Sequence, residues 1–62
     1  MPMSGKEMVR LYEQNGWVVV RQNGSHIRMT KGSSHVTIPA HRELKRGTEH
    51  GLLKKLEWEK KK

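Results

Sequence analysis

The chain contains no cysteine, so neither a disulfide nor a thiolate-ligated zinc site can stabilise its fold. This absence is compatible with a cytoplasmic protein, and that is the location we expect. No segment approaches the roughly 20 apolar residues that cross a bilayer. The first residues, Met1–Lys6, lack the apolar run of a signal peptide. We therefore expect a soluble protein with no membrane partner.

Acidic residues are few, with six of them against 13 lysines and arginines, for a formal net charge of +7. This imbalance predicts an anionic partner: nucleic acid, an acidic protein or a membrane surface. Nucleic acid is the partner that we favour, and a solvated lysine-rich surface is the alternative. The 62 residues predict a single domain spanning 1–62, which is too small for a deep, water-excluding active site. A shallow surface site is what we expect.

The N-terminal segment predicts a helix from Ser4 to Asn15. Ser4-Gly5-Lys6-Glu7 reads as a capping box, in which Ser4 and Glu7 satisfy each other's backbone amides. Gly16 is placed to end the helix in a left-handed conformation, and Trp17 then packs back on the last turn near Tyr12. One face of the helix carries apolar residues at helical spacing, namely Met8, Leu11 and Tyr12.

Three strands are predicted after this helix. The β-branched segment 17–22 forms the first, and Asn23-Gly24 is a strong hairpin signal before the second, 26–31. A second turn leads to the third strand, 35–39, which Pro39 ends. Apolar and polar residues alternate in the last two strands, with Ile27, Met29, Val36 and Ile38 on one face and His26, Arg28, Thr30, His35 and Thr37 on the other.

The C-terminal segment predicts a second helix that begins at Gly47-Thr48, with Thr48 as its N-cap. A polar connection, 40–46, precedes it and has room for a helical turn. Gly51 lies inside the helix and is interpreted as a point of close approach to the sheet. Its apolar residues are expected to be buried, with Leu52, Leu53 and Leu56 forming a stripe and Trp58 covering the end of the core.

These elements predict an α+β fold of order α-β-β-β-α. A three-stranded antiparallel sheet has both helices on its apolar face, and its other face stays open. Arg21 joins the open face if Val18 and Val20 point inward.

His26 is the candidate working group, because it opens a strand directly after a tight polar turn. Gly24 has no Cβ to crowd a ligand on that side, and an imidazole both accepts and donates protons near neutral pH. Ser25 is not a hydrolase nucleophile, since neighbouring strand residues point to opposite faces and no orienting acid is near. We predict neither a metal site nor a cofactor, because no His-x-x-x-His pair falls on a helix and carboxylates are absent near His26 and His35.

Four short motifs occur together in a spacing that resembles the HicA toxins, small mRNA interferases of type II toxin–antitoxin systems with a fold similar to a double-stranded-RNA-binding domain. The resemblance covers nearly the whole chain. No single motif is diagnostic, and their joint spacing is what is specific. They are Gly16-Trp17, Gly24-Ser25-His26, Pro39-Ala40-His41 and Gly47-Thr48.

This resemblance implies a metal-independent endoribonuclease that cleaves mRNA, with His26 as the catalytic residue and a HicB-like antitoxin as the partner. Arg28 and Arg21 would then hold phosphate by charge-assisted hydrogen bonds. Gly24, Ser25 and Thr37 would position the phosphate or the ribose. A second proton-transfer group is not evident; His41 and His35 are candidates, and both are also explained as ordinary loop and strand residues.

Two other functions fit the same sequence. A non-catalytic RNA-binding module of this fold requires only lysines and arginines, and it predicts salt-sensitive binding that leaves the RNA intact. A pure protein-interaction domain would bind an acidic partner without measurable affinity for RNA.

Overall fold

The computed structural model describes residues 2–60, without the side chains of residues 59 and 60. Its five elements confirm the predicted α+β order, and the sheet is antiparallel with strand order β1-β2-β3. Within the described residues, neither helix is long and apolar enough to cross a membrane. The elements are α1 (Gly5–Gln14), β1 (Val18–Asn23), β2 (His26–Lys31), β3 (Ser34–Pro39) and α2 (Arg46–Lys60).

Helix α1 is defined by local chemistry at both ends, as predicted. The Ser4 hydroxyl accepts a hydrogen bond from the Glu7 amide at 3.1 Å, and the Glu7 carboxylate accepts one from the Ser4 amide at 2.9 Å. At the other end Gly16 has φ of +92°, which glycine adopts readily. The ring of Trp17 meets that of Tyr12 edge to face, with centroids 5.0 Å apart.

Both hairpins close through two-residue Gly-Ser turns, Gly24-Ser25 and Gly32-Ser33. The two glycines have φ of +63° and +61°, as a type II′ turn requires of its first central residue. The first turn lies one residue later than predicted, because Asn23 does not form part of it. It pairs with His26 as the last residue of β1.

The hydrophobic core lies between the inner face of the sheet and the two helices. Strands β2 and β3 alternate as predicted, and the Tyr12 hydroxyl donates a hydrogen bond to the Leu52 carbonyl at 2.7 Å, which joins α1 to α2. Leu44, in the connection predicted to be polar, is buried with 3% of its surface exposed. The buried apolar residues are Met8, Tyr12, Trp17, Ile27, Met29, Ile38, Leu44, Leu52 and Leu56.

Strand β1 contains a β-bulge that the sequence analysis did not predict. Val19 pairs with Met29 and Arg21 pairs with Arg28, so Val20 is an extra residue in the ladder. Cross-strand partners share a face, and Arg21 therefore joins Arg28 on the open face. The sequence analysis made this position of Arg21 conditional on Val18 pointing inward, and that condition was wrong. Val18 pairs with Thr30, a residue of the outer face.

Helix α2 begins at Arg46, two residues before the predicted N-cap. The Lys45 carbonyl accepts the amide of Glu49 at 2.8 Å, so Thr48 lies within the first turn and is not the N-cap. Residues 40–45 form a bend without a helical turn. Tertiary contacts set this start, since Leu44 is buried and the Glu49 carboxylate accepts the Met3 amide at 2.6 Å.

The buried stripe of α2 is narrower than predicted. Leu52 and Leu56, one turn apart, are buried, whereas Leu53 is 37% and Trp58 59% exposed. The predictions that Leu53 is buried and that Trp58 covers the core were therefore wrong. A domain of this size needs only one narrow stripe of each helix for its core. Gly51 does not mark a close approach either, because a Cβ there would meet no atom within 4 Å.

Candidate active site

His26 lies at the open end of the first hairpin, with its side chain exposed to solvent. It is the first residue of β2 and is paired with Asn23 on β1 and Pro39 on β3. The preceding Gly24 leaves the approach open, since a Cβ built there would meet nothing within 4 Å. An imidazole at this position is accessible to a large substrate.

The outer face of the sheet consists of cross-strand rows of side chains. Asn23, His26 and Pro39 form the first row. The next row contains Arg21, Arg28 and Thr37, all of them exposed. The structure therefore brings together the predicted substrate-binding side chains of three strands beside His26. The bulge that places Arg21 there has no signal in the sequence, because Val18–Val20 shows no alternation of apolar and polar residues.

The pairing of Arg21 with Arg28 places two positive charges opposite each other. Like charges at directly opposed strand positions are destabilising. No acidic residue occurs in the sequence between Glu13 and Glu43, so none of the three strands carries a carboxylate that would neutralise them. The arrangement therefore favours an external anion bound across the two guanidinium groups, for which phosphate is a good geometric match.

The turn itself is held by hydrogen bonds. The Ser25 carbonyl accepts the Ala40 amide at 2.6 Å, and the Gln22 side-chain amide donates to the Gly24 carbonyl at 3.3 Å. The Ser25 side chain remains exposed, as does Gly24. The backbone that presents His26 is thus fixed at its junction with β3.

His26 lies on an exposed face of the sheet. Among the side chains that the structure describes, those of residues 2–58, no group of three or more His, Asp or Glu residues is placed to hold a metal ion. A cavity of about 480 Å³ near the start of α2 does not include His26 and is lined by Pro2, Leu44, Arg46 and Glu49. The candidate site is an open, cationic face with the His26 imidazole at its edge.

Comparisons with known proteins agree with this architecture. The family model for the HicA toxin of bacterial toxin–antitoxin systems matches residues 5–59. A solved structure described as a toxin–antitoxin complex from Streptococcus pneumoniae is similar with a TM-score of 0.76 and 45% identity, covering 90% of this chain and 98% of that chain. No curated protein matches. Because the family match extends over most of its length, the chain belongs to the HicA toxin family.

Proposed function

We propose that this protein is an endoribonuclease toxin that cleaves mRNA without a metal ion, using His26 for proton transfer. The observation that supports this most directly is the exposed His26 imidazole beside a row of two arginines on an acid-free face. Membership in a toxin family is consistent with such an activity. Because mRNA is the substrate, the cytoplasm is the proposed place of action.

RNA contains its own nucleophile, so the protein has to supply only positioning and proton transfer. The ribose 2′-oxygen forms a bond to the neighbouring phosphorus while the bond from phosphorus to the 5′-oxygen breaks. A base removes the proton from the 2′-hydroxyl, and an acid gives one to the departing 5′-oxygen. The products are a 2′,3′-cyclic phosphate and a 5′-hydroxyl. His26 takes one of these two roles, and such a group typically contributes about 10²–10⁴-fold to the rate.

The residues around His26 have different roles in binding the substrate. Arg21 and Arg28 bind a backbone phosphate through charge-assisted hydrogen bonds. The Thr37 hydroxyl lies in the same row, and Ser25 with the backbone of Gly24 lies at the turn. These three positions suit contacts to ribose or to phosphate, which orient an RNA strand without reading its sequence.

The partner that controls this toxin is proposed to be a HicB-like antitoxin. The similar structure is described as a toxin–antitoxin complex. The acid-free outer face suits an acidic protein surface as well as RNA. An antitoxin that covers His26 and the arginine row would exclude the substrate, and this would explain inhibition without any change in the toxin's fold.

The experiment compares His26→Ala with the wild type for RNA cleavage and for growth arrest on expression. We expect both to be lost while the circular dichroism spectrum is unchanged, since His26 is exposed. His35→Ala is the matched control, because His35 is also exposed on the outer face of the sheet. It should cleave like the wild type.

Equal activity of His26→Ala and the wild type would contradict the proposal. A different result would favour a binding module: wild-type protein that binds RNA in a salt-sensitive manner and leaves it intact after long incubation.

A further inference from the structure

The alternation of inward and outward residues continues beyond the end of β3. Ile38 is buried, Ala40 packs against the core, and His41 is exposed. The Ala40 amide donates to the Ser25 carbonyl at 2.6 Å, which extends the β2–β3 ladder by one hydrogen bond past Pro39. His41 therefore follows the strand as an outward-facing residue, on the side of the sheet that His26 occupies.

His41 is the diagonal neighbour of His26. Pro39 is the cross-strand partner of His26, and His41 lies two residues beyond it. Diagonal positions in an antiparallel pair are about 7–8 Å apart, within reach of two aromatic side chains that flank one substrate. His35, the other candidate, pairs with Thr30, four residues along β2 from His26. At about 3.3 Å per residue this separates the two rows by roughly 13 Å, which is too far to share one phosphodiester.

The backbone at His41 is held from two sides. The Ser25 carbonyl fixes Ala40, and the Gly5 amide donates to the His41 carbonyl at 2.9 Å. The start of α1 lies so close to this segment that a Cβ on Gly5 would collide with the Pro39 carbonyl oxygen and approach the Ala40 Cα to 2.8 Å. Such close packing gives His41 a defined place beside the turn, which a proton-transfer group requires.

We infer that His41 is the second proton-transfer group of the RNA-cleaving site, which rests on the proposed function. One of the two imidazoles, in its neutral form, removes the 2′-hydroxyl proton. The other, in its charged form, donates a proton to the 5′-oxygen as its bond to phosphorus breaks. The two histidines exchange protonation states in one turnover, and transfer of one proton between them through solvent restores the starting state. No other co-reactant is needed.

The test uses two RNA oligonucleotides that the wild-type protein cleaves at a single linkage. In the second, sulfur replaces the bridging 5′-oxygen at that linkage. A thiolate leaves without being protonated, because a thiol is a far stronger acid than an alcohol. A variant that lacks the acid should therefore be slow on ordinary RNA and near the wild-type rate on the sulfur substrate, whereas a variant that lacks the base should be slow on both.

We expect His41→Ala to lose about 10²–10⁴-fold on ordinary RNA, and exactly one of His26→Ala and His41→Ala to be rescued by sulfur. Rescue of His41→Ala makes His41 the acid, and rescue of His26→Ala makes His41 the base; either supports the inference. Wild-type rates for His41→Ala, or a loss in both variants that sulfur does not relieve, would overturn it. Absence of cleavage by the wild-type protein would instead disprove the proposed function itself.

A structural role for His41 is tested separately. The hydrogen bond at this residue uses its carbonyl and not its side chain, so His41→Ala and His41→Asn should both retain the circular dichroism spectrum and the thermal midpoint of the wild type. If His41→Asn restored cleavage of ordinary RNA, the imidazole would not be transferring a proton and the inference would fail.

Discussion

The two hairpin turns of this protein have the same sequence and the same backbone but different surroundings. Gly24-Ser25 and Gly32-Ser33 are both exposed, and their glycines have φ of +63° and +61°. In the first turn, the Ser25 carbonyl accepts a hydrogen bond from the amide of Ala40, which lies in the segment that contacts the start of α1. The second follows Lys31, whose ammonium donates to the Asn15 carbonyl at the end of α1, at 3.0 Å.

Each turn also precedes an exposed histidine, and the comparison indicates what distinguishes them. The row that contains Arg21 and Arg28 lies between the two histidines: His26 is in the row on one side of it, and His35 shares the row on the other side with Val18 and Thr30. A turn of this kind can present a histidine at either end of the sheet. Because the arginine row lies between the two histidine rows, what distinguishes the first turn is its hydrogen bond to Ala40, the residue that precedes His41. The neighbours of the turn, and not the turn itself, therefore define the proposed site.

The largest effect on cleavage is expected from the arginine row, which lies between the two histidine rows. Arg21→Gln and Arg28→Gln should each lower kcat/KM for RNA cleavage by about 10–100-fold, because a hydrogen bond to a charged group contributes about 1.5–3 kcal/mol. Each should also raise the free energy of unfolding by a few tenths of a kcal/mol, since the like-charge pair is relieved. Steady-state cleavage and urea unfolding measure the two quantities.

Arg10→Gln is the control for this prediction. It removes one positive charge from an exposed residue of α1, away from the arginine row. It should change cleavage little. If all three variants lost activity equally, the net charge of the protein and not the arginine row would be responsible.

An intermediate effect is expected from the glycines of the two turns. Gly24→Ala and Gly32→Ala should each cost about 1–2 kcal/mol of stability, because an L-residue is strained at positive φ. Neither Cβ would meet an atom within 4 Å, so the cost comes from the backbone alone. Gly51→Ala, in helix α2, should instead stabilise by up to about 1 kcal/mol. Urea unfolding compares the three variants.

The two turn variants should differ in their rates of RNA cleavage, although we expect them to be equally stable. Gly24→Ala should lose more activity than its unfolded fraction explains, because it moves the backbone that presents His26. Gly32→Ala, at the other end of the sheet, should retain the wild-type rate. Equal activity of these two variants would show that the geometry of the first turn is unimportant for cleavage.

Sequence reasoning succeeded where local interactions determine the structure. The capping box at Ser4 involves residues three apart, and the faces of β2 and β3 follow from strict alternation. The position of His26 at an exposed turn follows from Gly24 in the same way. Each of these features requires only neighbours in sequence, and they account for the fold class and for the centre of the candidate site.

Prediction from the sequence failed where contacts between residues distant in the chain determine the structure. The bulge at Val20 depends on how β1 fits against β2, and three successive valines contain no information about it. The start of α2 is set by buried Leu44 and by a bond from Met3 to Glu49, residues 46 positions apart. The adjacency of His41 to His26 was not evident from the sequence for the same reason, since it requires the register between β2 and β3.

The smallest expected effect concerns Glu7, at the end of α1 that lies beside the first turn. The Ser4 backbone amide, then the Ser4 hydroxyl, and to a lesser degree the charge of Arg10 lower the pKa of Glu7 below 4.5, against a small opposing effect of desolvation. A carboxyl with a lowered pKa in the folded state stabilises the protein above its unfolded pKa. That stabilisation is lost as the pH falls through the folded pKa.

The stability difference between wild type and Glu7→Gln should therefore be present at pH 7 and be lost as the pH falls through the lowered pKa of Glu7, as followed by urea unfolding. Glutamine keeps the hydrogen-bonding geometry of a capping box without the charge. The comparison therefore measures the contribution of the Glu7 negative charge to the free energy of unfolding. Glu7 is fully exposed, and the effect should be small. In a Ser4→Ala background the difference should shrink but persist, because the backbone amide, the largest cause of the lowered pKa, is still present. A difference that stayed constant from pH 7 to pH 3 would show that ionisation of Glu7 does not stabilise this end of α1.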